Sequence, residues 1–592
     1  MCGIFGYIGN KNCNSILIEG LKKLEYRGYD SVGVAISNKN NVSVIKKRGR
    51  VSSIEKDIMG IDGNIGIGHT RWATHGKPSD ANAHPHTHEK FTIVHNGIIE
   101  NYFDLKTQLL MEKVGFLSET DTEVIAALLS KNYQGDLLKT VKETVDCLNG
   151  SYSLAIICSD FPDKIIVTKK SSPLILGKSE EGLFISSDLP TIYSSANTFC
   201  FLEDGEFSLI EKDKLTIYDH NLKVIEKEFK CADEESREIS LSTFESYMLK
   251  EITEIPLAIK KTYTYLDSLT LPEELVKRLT NCSTITILGC GTAYNAGLIG
   301  KTVIESFLRK PVNIEIASEF RYKNPIIEKN AIVIAVSQSG ETADTIAAVN
   351  LAKEQGAYVV SITNILNSSL SKVSDFVIHT KAGAEIAVAA TKSYNCQLIC
   401  FYWLCERFAK ILNKEFNLKE KIDEIVSKCQ QVINNKQIIS IADKYYKANE
   451  IFFLGRGIDY CSSLEASLKL KEISYIHSES YPAGELKHGT LALIENGTLS
   501  IFIITQKDLI KKTLNAVHEV KTRGSTVLVF SSFEELKNES VIDDFYLIPS
   551  VDEAFMPIVD IISFQLFSYY MARNRGCDID KPRNLAKSVT VE

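Results

Sequence analysis

Cys2 stands directly behind the initiator methionine. Removal of Met1, which so small a neighbour permits, would leave a thiol and a free α-amine on one residue. The near-neutral pKa of that amine suits it as general base for the thiol. Asn96-Gly97 follows the apolar run Phe91–His95. A side-chain amide beside a glycine N–H can hold an oxyanion, because glycine lets a substrate come close to the backbone. In isolation the same dipeptide marks a type I′ hairpin turn. Arg71 and Asp121 carry the opposite charges that hold an amino acid's carboxylate and ammonium. Asp121 also suits a helix N-cap.

A second group of residues suits a phosphate. Ser337-Gln338-Ser339-Gly340-Glu341-Thr342 follows the strand-like run Ala331–Val336 and precedes a helical pattern. Hydroxyls and N–H groups converging at a helix N-terminus favour an anion, although a plain Ser/Thr cap reads the same way. Gly289-Cys290-Gly291-Thr292 forms a similar turn after Ile285–Leu288. Glu465, Lys469 and Glu472, at spacings of four and three, share one helical face. Such a stripe is either an exposed ion-pair ladder or an acid–base set. His84-Pro85-His86-Thr87-His88 would put three rings on one face of a strand. No carboxylate or cysteine cluster accompanies them, which argues against a metal.

These residues need elements to position them. Up to about residue 231 the sequence reads as short strands, among them Ile4–Ile8, Val32–Ser37, Ile65–His69, Phe91–His95, Tyr152–Cys158 and Phe207–Ile210. Helical patterns interrupt them at Ile16–Leu24 and about 121–129. The polar, acidic stretch 232–243 reads as a linker. Beyond it lies a repeat. Leu288-Gly289-Cys290-Gly291 matches Leu454-Gly455-Arg456-Gly457, and three further strand pairs follow at nearly the same offset. Each copy alternates short apolar strands with helices, which predicts a doubly wound parallel sheet. In the second copy Thr505-Gln506-Lys507-Asp508 replaces the serine-rich turn, so only the first is expected to hold phosphate. The segment 578–592 has the composition of a disordered tail.

Composition narrows the classes. The chain has 592 residues, 44% hydrophobic and 24% charged, a globular balance. A net charge of -8 without a basic block argues against nucleic acid. The 14 cysteines form no Cys-x-x-Cys pair, as expected for free thiols in a reducing compartment. No basic region precedes the apolar N-terminal residues, and the most apolar run, Gln397–Cys405, is too short to span a bilayer. The expectation is a soluble, cytoplasmic protein without membrane contact.

Cys2-Gly3-Ile4-Phe5-Gly6, Leu24–Ser31, His69–Gly76, His95–Asn101 and Ser118–Glu123 together resemble the glutaminase domain of class II amidotransferases. The resemblance implies an α+β N-terminal-nucleophile domain (αββα) with Cys2 as nucleophile and Asn96 and Gly97 as oxyanion hole. Arg71, Thr74, His75 and Asp121 would hold glutamine, and Trp72 would gate an ammonia passage. The two glycine- and serine-rich turns resemble sugar isomerase (SIS) domains. With Ser474–His477, Gly484–Gly489 and the tail Lys581–Glu592 added, the chain is similar over its whole length to the isomerising glutamine–fructose-6-phosphate aminotransferase family. That similarity implies glutamine and fructose 6-phosphate as substrates, with no cofactor and no metal. It implies fructose 6-phosphate bound by Thr292, Ser337, Gln338, Ser339, Thr342, Val388 and Ala586. Lys587 would form a Schiff base, Glu472 would move a proton between C1 and C2 with Lys469 assisting, and His488 would open the sugar ring. In the family that histidine comes from the partner subunit, which implies a homodimer.

The division expected is 1–231 glutaminase, 232–268 linker and connecting helix, 269–412 and 440–577 the two SIS domains, and 578–592 a catalytic tail. Ala293 and Ala390 stand where many relatives carry serine. The short linker lacks the insertion that accompanies nucleotide-sugar feedback in eukaryotic relatives. Two other readings compete. One is an amidotransferase acting on another acceptor, which the tandem repeat disfavours. The other is a sugar-phosphate sensor, which has no need of Cys2, Glu472, His488 and Lys587 together.

Overall fold

A computed structural model describes residues 2–38, 41–231 and 244–590. The chain forms two compact units, 1–240 with 588–592, and 241–587. The linker stretch 232–243 lies outside the described residues.

In the first unit two antiparallel sheets stack. One has eight strands, with Gly3–Gly9 between Gly182–Ser186 and Ile65–Arg71. The other has seven, with Phe91–Ile99 between His86–His88 and Gly150–Cys158. The inward faces meet in a core of Ile4, Ile8, Ala35 and Ile67 against Val94, Ala155, Ile157 and Val167. The helix Cys13–Leu24 covers the first sheet, and Asp121–Asn132 covers the second. This is the αββα layering expected. All six predicted strands and both helices are present, each a residue or more longer than read.

The second unit holds two five-stranded parallel sheets. The first runs Val312–Ile316, Ile285–Gly289, Ile332–Ser337, Tyr358–Thr363, Phe376–His379. The other runs His477–Pro482, Glu450–Gly455, Leu499–Ile504, Thr526–Ser531, Asp544–Leu547. Both have the order 2-1-3-4-5, a doubly wound arrangement. The repeat extends to backbone detail. Gly291 (φ 55°, ψ -127°) and Gly457 (φ 56°, ψ -127°) each precede a 17-residue helix, Thr292–Leu308 and Ile458–Ser474. Each helix ends on a left-handed residue, Arg309 and Tyr475. The helices Lys392–Ile411 and Met556–Asn574 lie in a core shared by both halves. The segment Glu553–Asn574 is long and apolar enough to cross a membrane, but 94% of its apolar window is buried inside the protein. Its burial is that of a core helix.

The tail departs from its composition. Asp580 accepts the N–H groups of Tyr247 (2.8 Å) and Met248 (2.9 Å) at the start of the helix Tyr247–Thr253, an anion at a helix N-terminus. The Arg583 guanidinium lies 4.2 Å from the centre of the Tyr475 ring. Disorder is thus the wrong reading for 578–587: one carboxylate and one stacked arginine fix a segment with few apolar residues.

Candidate active sites

Cys2 directly precedes the central strand Gly3–Gly9 of the first sheet and lines a small cavity of about 20 Å³. Trp72, Thr74, Asn96 and Gly97 line it too, with Arg27, Ser172, Pro173 and Thr590. The Trp72 N–H points to Cys2 Sγ at 3.3 Å, and Arg27 Nε donates to the Cys2 carbonyl at 3.1 Å. Burial pushes the thiol above its usual pKa, while the Trp72 backbone hydrogen bond and Arg71 oppose the rise. A resting thiolate is therefore disfavoured, and the base must act as the sulfur attacks.

Asn96-Gly97 is not a turn. Asn96 pairs with Ser153 and Gly97 with Tyr152 inside a strand that runs on to Ile99. Sheet pairing over nine residues outweighs the local turn preference of two. Gly97 adopts φ 134°, and a Cβ there would sit 2.0 Å from the Ser151 carbonyl oxygen. Only glycine fits, and its backbone is kept bare beside Cys2. The Asn96 Oδ1 is buried without a partner.

Arg71 is buried. It donates to the carbonyls of His75 and Gly76, leaving Nη1 buried and unpartnered. An unpartnered guanidinium nitrogen suits a carboxylate. Asp121 is the first residue of its helix rather than the cap: Thr120 accepts the Glu123 N–H. Asp121 Oδ2 accepts instead from Ile99 N at 3.0 Å. His75 packs on Tyr102, with ring centres 4.9 Å apart.

The histidine run is a stack, not a ladder. Only His86–His88 is strand. His84 stacks on His69 at 4.1 Å, and His86 meets His84 edge-on at 4.9 Å. Burial lowers the His69 pKa to about 3 and those of His84 and His86 well below the usual value, so all three are neutral. Among the described residues no group of His, Cys, Asp and Glu could hold a metal.

In the second unit the Glu465–Lys469–Glu472 stripe is not an exposed ladder: Glu465 and Lys469 are buried and Glu472 is half-buried. Lys469 Nζ lies 2.6 Å from Glu472, 3.4 Å from Glu465 and 3.1 Å from Thr292 Oγ1. Thr292 and Asn295 donate to Glu465 at 3.0 and 2.8 Å. Burial works against the Lys469 charge, but Glu472 and Glu465 outweigh it and hold the pKa at about 12. Burial pushes Glu465 up. The Lys469 ammonium pairs with both carboxylates, of which Glu472 is the more exposed.

The turn expected to hold phosphate is likewise more than a cap. Ser337 and Thr342 face each other, hydroxyls 3.0 Å apart, and Ser337 Oγ accepts the Gly340 N–H. Thr342 precedes the helix Ala343–Glu354 and makes no side-chain capping bond to it. Gly340 has φ 65°, and a Cβ there would lie 2.1 Å from Ser368 Oγ. The Gln338 carbonyl accepts from Asn364 N, and Ser339 Oγ from Glu341 N.

Lys587 donates to Glu385 at 2.5 Å and to the Ala387 carbonyl at 2.8 Å. Burial alone would raise the Glu385 pKa, but Lys587 and the Ser393 donors bring it to about 2. Val388 is buried and its N–H donates to the Asp580 carbonyl. Ala586 is half-buried beside Lys587, and His488 is exposed in the turn Glu485–His488. No hydrogen bond or ion pair among the described residues joins His488 to Lys469, Glu472 or Lys587.

Sequence reasoning missed Arg27, Asn295, Thr590 and Glu385. Glu385 carried a signal: it is the one charge in the small apolar run Ala382–Ala390. Arg27 and Thr590 lay within the motifs Leu24–Ser31 and Lys581–Glu592 but were given no role of their own, and Asn295 gave no signal.

A cysteine at position 2 beside the bare backbone of Gly97, and two tandem doubly wound parallel sheets, are the features of a glutamine amidotransferase domain joined to tandem SIS domains. Family models agree. The glutamine amidotransferase domain matches residues 69–194, and the SIS domain matches 278–407 and 444–575. Curated relatives named glutamine–fructose-6-phosphate aminotransferase [isomerizing] cover all of this chain and are covered by it. Those of Caldanaerobacter subterraneus subsp. tengcongensis and Clostridium tetani are each 47% identical, and that of Aquifex aeolicus is 43% identical. The solved C-terminal domain of glucosamine-fructose-6-phosphate aminotransferase from Francisella tularensis is 34% identical, with a TM-score of 0.53. It covers 58% of this chain, which covers all of it. The chain belongs to the isomerising glutamine–fructose-6-phosphate aminotransferase family.

Proposed function

We propose that this chain cleaves glutamine and passes the ammonia to fructose 6-phosphate, giving glutamate and glucosamine 6-phosphate. This is the first step of hexosamine biosynthesis. One observation carries the reading: the chain holds both a Cys2 cavity backed by Gly97 and an ion-paired Glu465–Lys469–Glu472 trio touching Thr292.

In the glutaminase step the α-amine of processed Cys2 takes the thiol proton while sulfur attacks the amide carbon. Asn96 and Gly97 donate to the oxyanion. Ammonia leaves with that proton, and water hydrolyses the thioester to glutamate. Arg71 and Asp121 hold the substrate's carboxylate and ammonium, with Thr74, His75 and Trp72 shaping the site. In the sugar step Ser337, Gln338, Ser339 and Thr342 hold the phosphate, and Thr292, Val388 and Ala586 the sugar. Lys587 Nζ loses a proton, attacks the C2 ketone and forms an imine as water departs. Ammonia displaces the lysine. Glu472 then moves a proton from C1 to C2, with Lys469 at the oxygen.

The domain division 1–231, 232–268, 269–412, 440–577 and 578–592 is part of this proposal. So are a homodimer in which His488 acts on the partner's sugar, and a cytoplasmic location.

Cys2→Ala tests the first site. Glutamine hydrolysis is expected to vanish while added ammonia still supports slow synthesis. A variant that hydrolyses glutamine at the wild-type rate would refute the assignment of Cys2.

A further inference from the structure

We propose that Glu251 is a positioning residue for Lys587, holding the backbone at Ile386–Ala387 that sets the lysine's two partners. The proposal rests on the Schiff-base role of Lys587. Glu251 lies in the helix Tyr247–Thr253 and is 2% exposed. Its Oε1 accepts the N–H groups of both Ile386 and Ala387. The Ala387 carbonyl in turn accepts from Lys587 Nζ at 2.8 Å, and the adjoining Glu385 accepts from it at 2.5 Å. Glu251 thus fixes one short segment that supplies both acceptors of the reactive amine, without touching the amine itself.

Its other oxygen, Oε2, is buried with no partner. Burial first, then the charge of Glu385, pushes the Glu251 pKa up to about 8, against the pull of Lys587 and Lys392. Lys392 is itself committed to Glu254 at 2.6 Å, and Asp580 to the helix N-terminus. Glu251 therefore carries a proton near neutrality, and Oε1 still accepts two N–H groups. This has a chemical consequence. Schiff-base formation turns R–NH₃⁺ and a ketone into an iminium ion and water, and it needs the amine deprotonated at the moment of attack. Beside Lys587, ionised Glu385 already favours the ammonium. A second ionised carboxylate would favour it further, so ionisation of Glu251 above about pH 8 should slow imine formation.

The test uses the full-length enzyme with fructose 6-phosphate. Borohydride reduces the imine, and peptide mass spectrometry reads the rate of labelling at Lys587. Steady-state synthesis supplies KM and kcat. Glu251→Ala is expected to slow trapping at least tenfold and to lower kcat in parallel, with KM for fructose 6-phosphate changed less than threefold. Glu251→Gln keeps an acceptor oxygen and stays neutral. It should trap at the wild-type rate near pH 7 and lose the decline above about pH 8. Trapping by Glu251→Ala at the wild-type rate would overturn the proposal. So would an alkaline decline in Glu251→Gln that coincides with the wild type. Wild-type enzyme that is never labelled at Lys587 would instead overturn the Schiff-base reading on which the proposal stands.

Discussion

The two doubly wound halves of the second unit share strand order, glycine turn and helix length, yet they treat the same crevice in opposite ways. In the first, Ser337 and Thr342 face one another at the end of their strand and the following helix receives no side-chain cap. In the second the protein's own carboxylates take the equivalent donors. Asp459 accepts from both the N–H and the hydroxyl of Thr505, Gln506 Nε2 donates to the Arg456 carbonyl, and Glu553 accepts the Lys507 N–H. Asp459 occupies the place that Ala293 holds in the first half, one residue into the paired helices. A carboxylate there does internally what a phosphate would do as ligand. On the proposed function the second half, freed from binding, contributes its helix, and on it Glu465, Lys469 and Glu472. Duplication would then separate holding from chemistry.

The largest expected effect comes from that helix. Glu472→Gln should lower the rate of amino-sugar formation by ~10²–10⁴, the usual worth of a positioned acid–base group. Glutamine hydrolysis at Cys2 should persist in a coupled glutamate assay. An unchanged synthesis rate would move the chemistry away from this half. Next, Ser337→Ala should raise KM for fructose 6-phosphate by about tenfold or more, since a hydrogen bond to a charged group is worth about 1.5–3 kcal/mol. The matched change in the other half, Thr505→Ala, should leave that KM untouched and lower stability by about 1–3 kcal/mol in a denaturant melt. If Thr505→Ala weakens sugar binding instead, the two crevices are not divided as described.

The smallest effect is one of pH. Burial pushes the Asp459 pKa from 3.8 up to about 6. A carboxyl whose proton is held more tightly in the folded state favours folding below its unfolded pKa, and this is lost as pH rises through the folded value. The melting-temperature advantage of the wild type over Asp459→Asn should therefore shrink between about pH 4 and 6. An advantage that grows over that interval would contradict the environment assigned to Asp459.

Much of this arrangement could be read from residue order. Short apolar runs became strands because period and length agree in both units. The repeat was legible because Gly289 and Gly291 recur as Gly455 and Gly457. Failures occurred where distant partners overrule local preference. Asn96-Gly97 has turn chemistry, yet Ser153 and Tyr152 pair with it across a sheet. The Glu465–Lys469–Glu472 spacing suits an exposed ladder as well as an inward-facing trio, and only packing decides: Glu465 and Lys469 are buried and Glu472 half-buried. The tail is polar, but Asp580 finds a helix N-terminus far away in sequence. Glu251 and Glu385 are 134 positions apart, and nothing local in the sequence links them to one lysine.

The most direct measurement supplies amide-¹⁵N glutamine and fructose 6-phosphate to the purified chain, with no added metal, and reads the products by mass spectrometry. The account predicts ¹⁵N in hexosamine 6-phosphate at a yield matching the glutamate formed. Glutamate accumulating with no labelled amino sugar would leave the glutaminase standing and contradict the assignment of the acceptor.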